Sequence, residues 1–427
     1  MTRQEEIAQP VVSAALRLPH NLPMVRFASA CLAASLLCAC AGGHGMRDTL
    51  VLDGPAEAAI AFDREGTTGQ VTRGVADPSR GRLVAIDDPV RIASVSKLVV
   101  AIGALRLAEQ GALDLDADVS PVLGFPLRNP AFPDVAITPA MLLSHTAGLR
   151  DGIDYALPLG TRLQDALVDP RAWDPAHAPG THFAYANLNF PVVASAMERA
   201  TGERFDRLMQ RLVLSPLRLQ ACFNWPTCSD EVVGRAVVLR DADGKVLRDD
   251  LRGARPPCPV VAAADGNCDL DRWRAGENGA LFSPHGGLRI SMRDLARVGR
   301  LLLRGGELDG VRVLQPASVE RLLAPRWTFD GSNGDNEGGF HCRMGLGTQT
   351  LATPRAGCRD DPVGDGLARV GHAGDAYGLR AGLWLDRDAG TGVAYFATQV
   401  PDDAPRGSSA FTAAEERMLR EALDLAK

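Results

Sequence analysis

The chain lacks the short signatures of the commonest alternative hydrolases. Nowhere in its 427 residues is there a GxSxG nucleophile elbow, an HExxH metal helix or a phosphate-binding P-loop. It also lacks CxxC pairs, and its cysteines do not sit beside histidines at ligand spacing, so neither a metal nor another cofactor is expected. Long blocks of like charge are absent too. The 46 basic and 52 acidic residues leave a formal net charge of −6, and its even spread gives no electrostatic footprint for nucleic acid. No internal repeat or low-complexity segment is present. The apolar run near the N-terminus falls short of the roughly 20 residues that cross a bilayer. What is left is a globular chain long enough for a large core, built as one big domain or two intertwined ones.

What is present starts with export. Residues 1–23 carry Glu5, Glu6 and several prolines and read as a mis-assigned start. From Met24, "MVRFASACLAASLLCACAGG" has a basic beginning, an apolar stretch and small residues near its end. Residues 24–39 are therefore expected to be a secretory signal. Leu37, Cys38, Ala39 and Cys40 resemble a bacterial lipobox, which makes Cys40 the lipidated residue and 40–47 a flexible tether. Several acyl chains on one residue anchor stably where a single chain binds only marginally. By the same resemblance, Ala41 in place of aspartate favours the outer membrane, with the protein facing the periplasm of the cell envelope.

An exported chain keeps its cysteines as disulfides. Without Cys31, Cys38 and the lipidated Cys40, the remaining ones are Cys222, Cys228, Cys258, Cys268, Cys342 and Cys358. Several connectivities are open to such a set. Local pairing of Cys222 with Cys228, Cys258 with Cys268 and Cys342 with Cys358 would staple three loops.

The segment from Ala58 to Val90 predicts two or three strands, with turns at Arg64–Thr67 and Asp77–Arg82. A helix follows in "RIASVSKLVVAIGALRLAEQG", apolar nearly all round through Leu98, Val99, Ile102, Leu105 and Leu107 and stopped by Gly111. Residues 114–285 read as mainly helical, with an irregular, disulfide-tied insertion over 222–268. "ISMRDLARVGRLLLRGG" is an amphipathic helix, residues 370–400 are three strands, and Thr412 with Glu415 caps a terminal helix. The sheet-forming parts, 48–113 and 286–427, thus lie at opposite ends of the sequence. Bringing them together leaves a cleft against the helical part, where a site is expected.

Within these elements three groups of residues could carry chemistry. Ser94 and Lys97 stand three apart, on one face of a helix start. An oxyanion forming there meets unsatisfied N–H groups and the positive end of the helix dipole. A lysine in an apolar setting has its charged form disfavoured, so it acts as a base or as a cation that keeps a neighbouring tyrosine ionised. Tyr185 and Asn187, in "YAN", alternate on extended backbone and so face the same way. In "GHAGD", glycines on either side of His372 imply close backbone approach by another element. Judged singly, each group has a plain structural explanation.

Together and in this order, with "ITPAMLLSHTAGL", "APGTHFAYANLNF" and "GGLRISMRDLARVGRLLL", they resemble the serine β-lactamase and penicillin-binding protein superfamily. The resemblance is to its class C β-lactamase, DD-peptidase and esterase branch, and it runs from about residue 56 to the end. It implies an α/β (α+β) fold of β-lactamase/transpeptidase type, an antiparallel sheet flanked by helices with a largely helical domain inserted in sequence. It further implies Ser94 as the acylated nucleophile, Lys97 and Tyr185 as the proton-transfer pair, and Asn187 as a ligand of the substrate. The backbone N–H groups of Ser94 and Asp375 would form the oxyanion hole, beside Gly374 and His372. Where class C β-lactamases have lysine, threonine and glycine, this chain has His372, Ala373 and Gly374. His372 can still serve as an electrostatic or proton-relay group, whereas Ala373 removes a hydroxyl that helps hold a substrate carboxylate. The expected activity is therefore a D-amino-acid peptidase or carboxylesterase on small-molecule or peptide substrates, ahead of a β-lactamase. A non-catalytic lipoprotein that binds cell-wall peptides or a partner on the same scaffold is the alternative of a different class. His145 reads as structural, and the acidic, glycine-rich stretch 329–340 as a mobile surface loop rather than a calcium site.

Overall fold

The computed structural model of the chain describes residues 54–425. The expected start, signal, lipobox and Cys40 lie outside the described residues.

Eight antiparallel strands make the main sheet. They are β1 (Glu57–Asp63), β2 (Thr67–Arg73), β3 (Trp327–Thr328), β4 (Arg343–Met344), β5 (Gln349–Thr350), β6 (Val370–Ala376), β7 (Leu379–Asp386) and β8 (Thr391–Ala397). Their order is β3-β4-β5-β6-β7-β8-β1-β2. The two ends of the chain meet where β1 pairs with β8 over its full length, Glu57 opposite Ala397 and Asp63 opposite Thr391. Successive side chains on a strand point to opposite faces, and here both faces are covered. Ala58, Ile60, Phe62, Leu383, Leu385, Ala394 and Phe396 join the main core. The residues between them, Ala59, Ala61, Trp384, Val393 and Tyr395, pack against the C-terminal helix. Each large side chain buried in this way contributes roughly 2 kcal/mol.

Four helices of three turns or more accompany the sheet among the described residues: α1 (Ser96–Glu109), α2 (Asn189–Thr201), α3 (Met292–Leu303) and α4 (Ala413–Asp424). α1 is buried over all but a few positions, as a helix without a polar face must be. It ends two residues before Gly111, whose φ of 70° no β-carbon opposes. In α3 the polar residues stay outside while Leu295, Val298 and Leu302 enter the main core, and the Ser291 side chain caps Asp294 N–H. α4 begins with the reciprocal box: Glu415 N–H donates to Thr412 Oγ1 at 3.2 Å and Thr412 N–H to Glu415 Oε2 at 2.9 Å. Such a box contributes about 1 kcal/mol.

Between Asp114 and His285, α2 is the longest helix among the described residues; Phe205–Met209 runs directly into a π-helical stretch, Gln210–Leu214, and the others are single turns such as Pro139–Leu143 and Asp230–Gly234. A small sheet ties this region to the start of α1. Its central strand, Leu288–Ile290, pairs with Val90–Arg91 on one side and Cys222–Phe223 on the other. Disulfides join Cys222 to Cys228, Cys258 to Cys268 and Cys342 to Cys358, the local pairing in each case.

Candidate active site

The site forms where the start of α1 meets β6. Ser94 lies in the single 3₁₀ turn Ala93–Val95 that runs directly into α1, one step ahead of the helix proper. The residue before it, Ala93, is buried and held at φ 46°, a conformation costing on the order of 1 kcal/mol that persists only where surrounding structure enforces it. β6 presses against this turn. A β-carbon on Gly374 would lie 2.3 Å from the Ile92 carbonyl oxygen, and one on Gly371 would lie 1.7 Å from that of Leu383. The glycines around His372 thus mark close approach on both sides of the strand.

Lys97 is fully buried. Its Nζ donates to Ser94 Oγ at 2.9 Å, Asn187 Oδ1 at 2.8 Å and the His285 carbonyl at 2.8 Å, one acceptor for each ammonium proton. Burial nevertheless brings its pKa down to about 7, with only the charge of Asp151 opposing the shift. At neutral pH the amine and the ammonium are both populated. Tyr185 behaves in the opposite way. Burial raises its pKa, a hydrogen bond with Ser94 opposes the change, and the charges of Glu337 and Asp151 add to it. The phenol therefore keeps its proton, and Lys97 is the member of the pair able to accept one.

The Tyr185 ring is fixed between two imidazoles. His145 stacks on it at 4.3 Å and His341 at 4.7 Å between centroids, while Lys97 Nζ sits 5.0 Å from the ring centre. His145 also accepts the Ala186 N–H through Nδ1 at 3.2 Å, so it supports the "YAN" segment mechanically. His372, buried on β6, donates through Nδ1 to the Ala373 carbonyl at 2.6 Å. Burial, reinforced by Lys97, lowers its pKa to about 3. It carries no positive charge and offers the lone pair of Nε2, which has no partner.

Asn187 is held at both ends of its amide, by Lys97 and by Asp151, whose Oδ2 accepts Asn187 Nδ2 at 3.0 Å and Asn187 N at 2.8 Å. Asp151 Oδ1 takes the Leu188 N–H at 2.9 Å. A carboxylate just ahead of α2 is favoured by the helix dipole. Sequence reasoning missed Asp151, whose only signal is its place in an Asp-Gly turn following "SHTAGL".

A cleft of about 440 Å³ opens over these groups, lined by Ser94, Asp151, Tyr185, Asn187, Ala373, Gly374 and Asp375. Asp375 itself is exposed, paired with the buried guanidinium of Arg380. The 329–340 stretch also lines the cleft, through Glu337 and Phe340. The stretch is a surface loop, as expected, exposed or half-buried over most of its length, and in addition it forms part of the cleft wall. Phe183 N–H donates to the Asn333 carbonyl at 3.0 Å, Asp335 N–H donates to the Phe183 carbonyl at 2.9 Å, and the Cys342–Cys358 bridge closes the loop behind His341. Among the described residues, Asp174, His177 and His182 bring three ligand-type atoms within 4.8 Å of one another. Asp174, buried, already accepts from Arg150 at 2.7 Å, so its charge is committed to an ion pair.

Comparison with known proteins agrees with this geometry. Penicillin-binding protein 4 of Amycolatopsis lactamdurans is 28% identical over 61% of this chain and 63% of its own length. Esterase EstB of Burkholderia gladioli is 33% identical over 35% of this chain and 42% of its own. The chain thus matches less than two thirds of either relative. A structure titled β-lactamase/D-alanine carboxypeptidase, from Pseudomonas syringae, shares the fold with a TM-score of 0.61 at 18% identity, covering 87% of this chain and 94% of that one. The fold is of the β-lactamase/transpeptidase type. The family model described as Beta-lactamase matches residues 52–416. By that match the chain belongs to the Beta-lactamase family, within the serine β-lactamase and penicillin-binding protein superfamily.

Proposed function

We propose that the protein is a serine hydrolase that forms an acyl-enzyme at Ser94 on amide or ester substrates, most suited to a D-amino-acid peptidase or carboxylesterase reaction. The observation that carries this reading is Lys97, a buried amine with a pKa of about 7 whose Nζ lies 2.9 Å from Ser94 Oγ. Neutral Lys97 takes the Ser94 proton as Oγ bonds to the substrate carbonyl carbon. The resulting oxyanion is received between the N–H groups of Ser94 and Asp375. As the tetrahedral carbon collapses, the bond to the leaving group breaks and the proton returns to that group through Lys97 and the Tyr185 hydroxyl. Water then repeats the sequence to release the acyl group and restore Ser94. Asn187, held by Lys97 and Asp151, borders the cleft where it can meet a substrate amide.

The choice of substrate class rests on Ala373, which faces the cleft with no hydroxyl, and on relatives named as an esterase and a penicillin-binding protein. For residues outside those described, the proposal is a lipid anchor on Cys40 that holds the protein to the cell envelope, checked by mass analysis of the mature N-terminus.

Intact-mass analysis after exposure to a fluorophosphonate, and separately to a penicillin, tests the catalytic reading. One adduct on the folded protein, absent in Ser94→Ala, is expected from at least one reagent. A folded protein that takes up neither is a binding protein. Parallel turnover of a chromogenic cephalosporin, a D-alanyl-D-alanine peptide and a nitrophenyl ester ranks the substrates, with the cephalosporin expected to be slowest.

A further inference from the structure

Three residues before Ser94 stands a second unusual cation. Arg91, on the short strand Val90–Arg91, is only 7% exposed. Among the described residues no carboxylate or carbonyl accepts a hydrogen bond from it, and its Nε is buried without a partner. Its close companion is an aromatic ring: Cζ lies 5.0 Å from the centre of Tyr377. A second guanidinium, that of exposed Arg248, lies 5.0 Å from the same ring and donates to the Tyr377 hydroxyl at 3.3 Å. A third, Arg289, is opposite Arg91 in the small sheet. The one carboxylate in the cluster, Asp249, is committed to Arg289 through bonds of 2.9 Å and 3.3 Å. Three guanidiniums therefore gather around Tyr377 with one carboxylate, Asp249, which accepts from Arg289 and whose charge is shared with Arg91.

The electrostatics agree with that count. Burial, then repulsion from Arg289, lowers the Arg91 pKa to about 10, with the charges of Tyr377 and Asp249 opposing the change. At Tyr377 burial pushes the phenol up, yet Arg91 and Arg248 outweigh it and the net shift is downward. Tyr377 also occupies φ 55°, at the turn joining β6 to β7, so the fold holds this ring at a backbone cost. The cluster is not part of the cleft lining, which includes Asp151 and Asp375 but not Arg91, Arg248 or Tyr377; it connects to the site through neighbouring residues. Tyr377 follows Asp375 by two residues, and Tyr155, which responds to the charges of Asp151, Tyr377 and Arg91, packs edge-on to His285 at 4.8 Å. The His285 carbonyl in turn accepts from Lys97.

A buried guanidinium nitrogen without an acceptor is destabilising, and the group that best satisfies the planar fork of an arginine is a carboxylate. We propose that Arg91 and Arg248, meeting at Tyr377, form a subsite for a carboxylate carried by the substrate. This rests on the reading of Ser94 as nucleophile and names the substrate class for it. Carboxylate recognition then lies at the Tyr377 end of β6, supplied in part by the 222–268 insertion, and not at the Ala373 end.

The test uses two pairs of chromogenic esters. Mono-4-nitrophenyl adipate against its methyl ester places the carboxylate in the acyl half, and 4-acetoxybenzoate against its methyl ester places it in the leaving group. In at least one pair the kcat/KM ratio should favour the carboxylate by about tenfold, and less at high salt. Arg248→Glu should collapse or invert that ratio, while Arg248→Lys should keep most of it. Ratios near one in both pairs, or a preference that survives Arg248→Glu, overturn the proposal. If no ester is turned over in a Ser94-dependent way, the catalytic reading has failed instead. Calorimetric titration with adipate then decides the subsite by itself: binding abolished by Arg248→Glu supports it, and no binding to the unaltered protein overturns it.

Discussion

Asp151 holds Asn187 at two points, its Oδ2 accepting both the backbone N–H at 2.8 Å and the side-chain Nδ2 at 3.0 Å. The same carboxylate is the charge that opposes the fall in the Lys97 pKa. Replacing it by asparagine keeps the shape, removes the charge and leaves one oxygen where two accepted bonds. Lys97 should then lose its proton more readily. The acid limb of the kcat/KM profile should move down by up to about one pH unit, with kcat reduced as Asn187 loosens. An upward or absent shift in Asp151→Asn would contradict this coupling.

In the unaltered protein the same reasoning fixes the sign of the pH dependence. The neutral amine is the competent base, and its pKa is about 7. Measured with a nitrophenyl ester, kcat/KM should rise about tenfold per pH unit below that value and level off above it. A Tyr185 phenolate as the base would instead postpone the rise to strongly alkaline pH, because burial raises that phenol.

How much of this is legible in the sequence depends on how local the cause is. Ser94 and Lys97 sit on contiguous backbone, so spacing alone puts them on one face, and the nearly continuous apolar runs of β1 and β8 fit a sheet covered on both sides. Tyr185 and Asn187 are readable as a pair for the same reason. Asp151 is not, because its meaning comes from a loop 36 residues away in sequence that meets the start of α2. The 329–340 stretch has the composition of a free loop, and it is brought to the cleft by long-range ties, among them the Cys342–Cys358 bridge, the backbone bonds to Phe183 and the bond from Gln349 Nε2 to the Phe340 carbonyl. Arg91 reads as an ordinary strand residue until Tyr377 and Arg248 arrive from two other parts of the chain.

Four histidines buried around the site make the fold sensitive to acid. His145, His285 and His341 have pKa values well below the usual 6.5, and His372 is lowered to about 3, burial being the first cause for each. Above pH 6.5 both folded and unfolded forms are neutral at these positions. Below it the unfolded chain binds protons that the folded one refuses, so stability falls as pH falls. Four such groups give a slope of about 5 kcal/mol per pH unit once well below 6.5. Urea unfolding at successive pH values should show that dependence, shallower by about a quarter in His145→Phe.

The Cys342–Cys358 bridge should matter for catalysis as well as for stability. It closes a loop of 16 residues of sequence separation, for which chain entropy suggests about 3 kcal/mol. Converting both cysteines to serine frees His341 from behind Tyr185, so kcat on a neutral ester should drop along with the melting temperature. The Cys258–Cys268 bridge encloses no residue of the cleft, and its removal should lower stability without the same loss in kcat. Equal losses in kcat from both double mutants would place the effect in general destabilisation.

Ala373 offers the most direct control of substrate choice. It faces the cleft from β6 between buried His372 and Gly374, at 6% exposure. A threonine there adds a hydroxyl at the edge of the cleft, next to where a β-lactam carboxylate would lie by resemblance to the class C enzymes. Because Ala373 lies toward α4 and not toward the Ser94 turn, the change should leave the distance from Lys97 to Ser94 intact. Turnover of a chromogenic cephalosporin by Ala373→Thr should rise about tenfold, the worth of one good hydrogen bond to a charged group. Hydrolysis of a neutral ester, which has no carboxylate to bind, should change little. A cephalosporin rate no higher than that of the unaltered protein would mean that the missing hydroxyl is not what limits it.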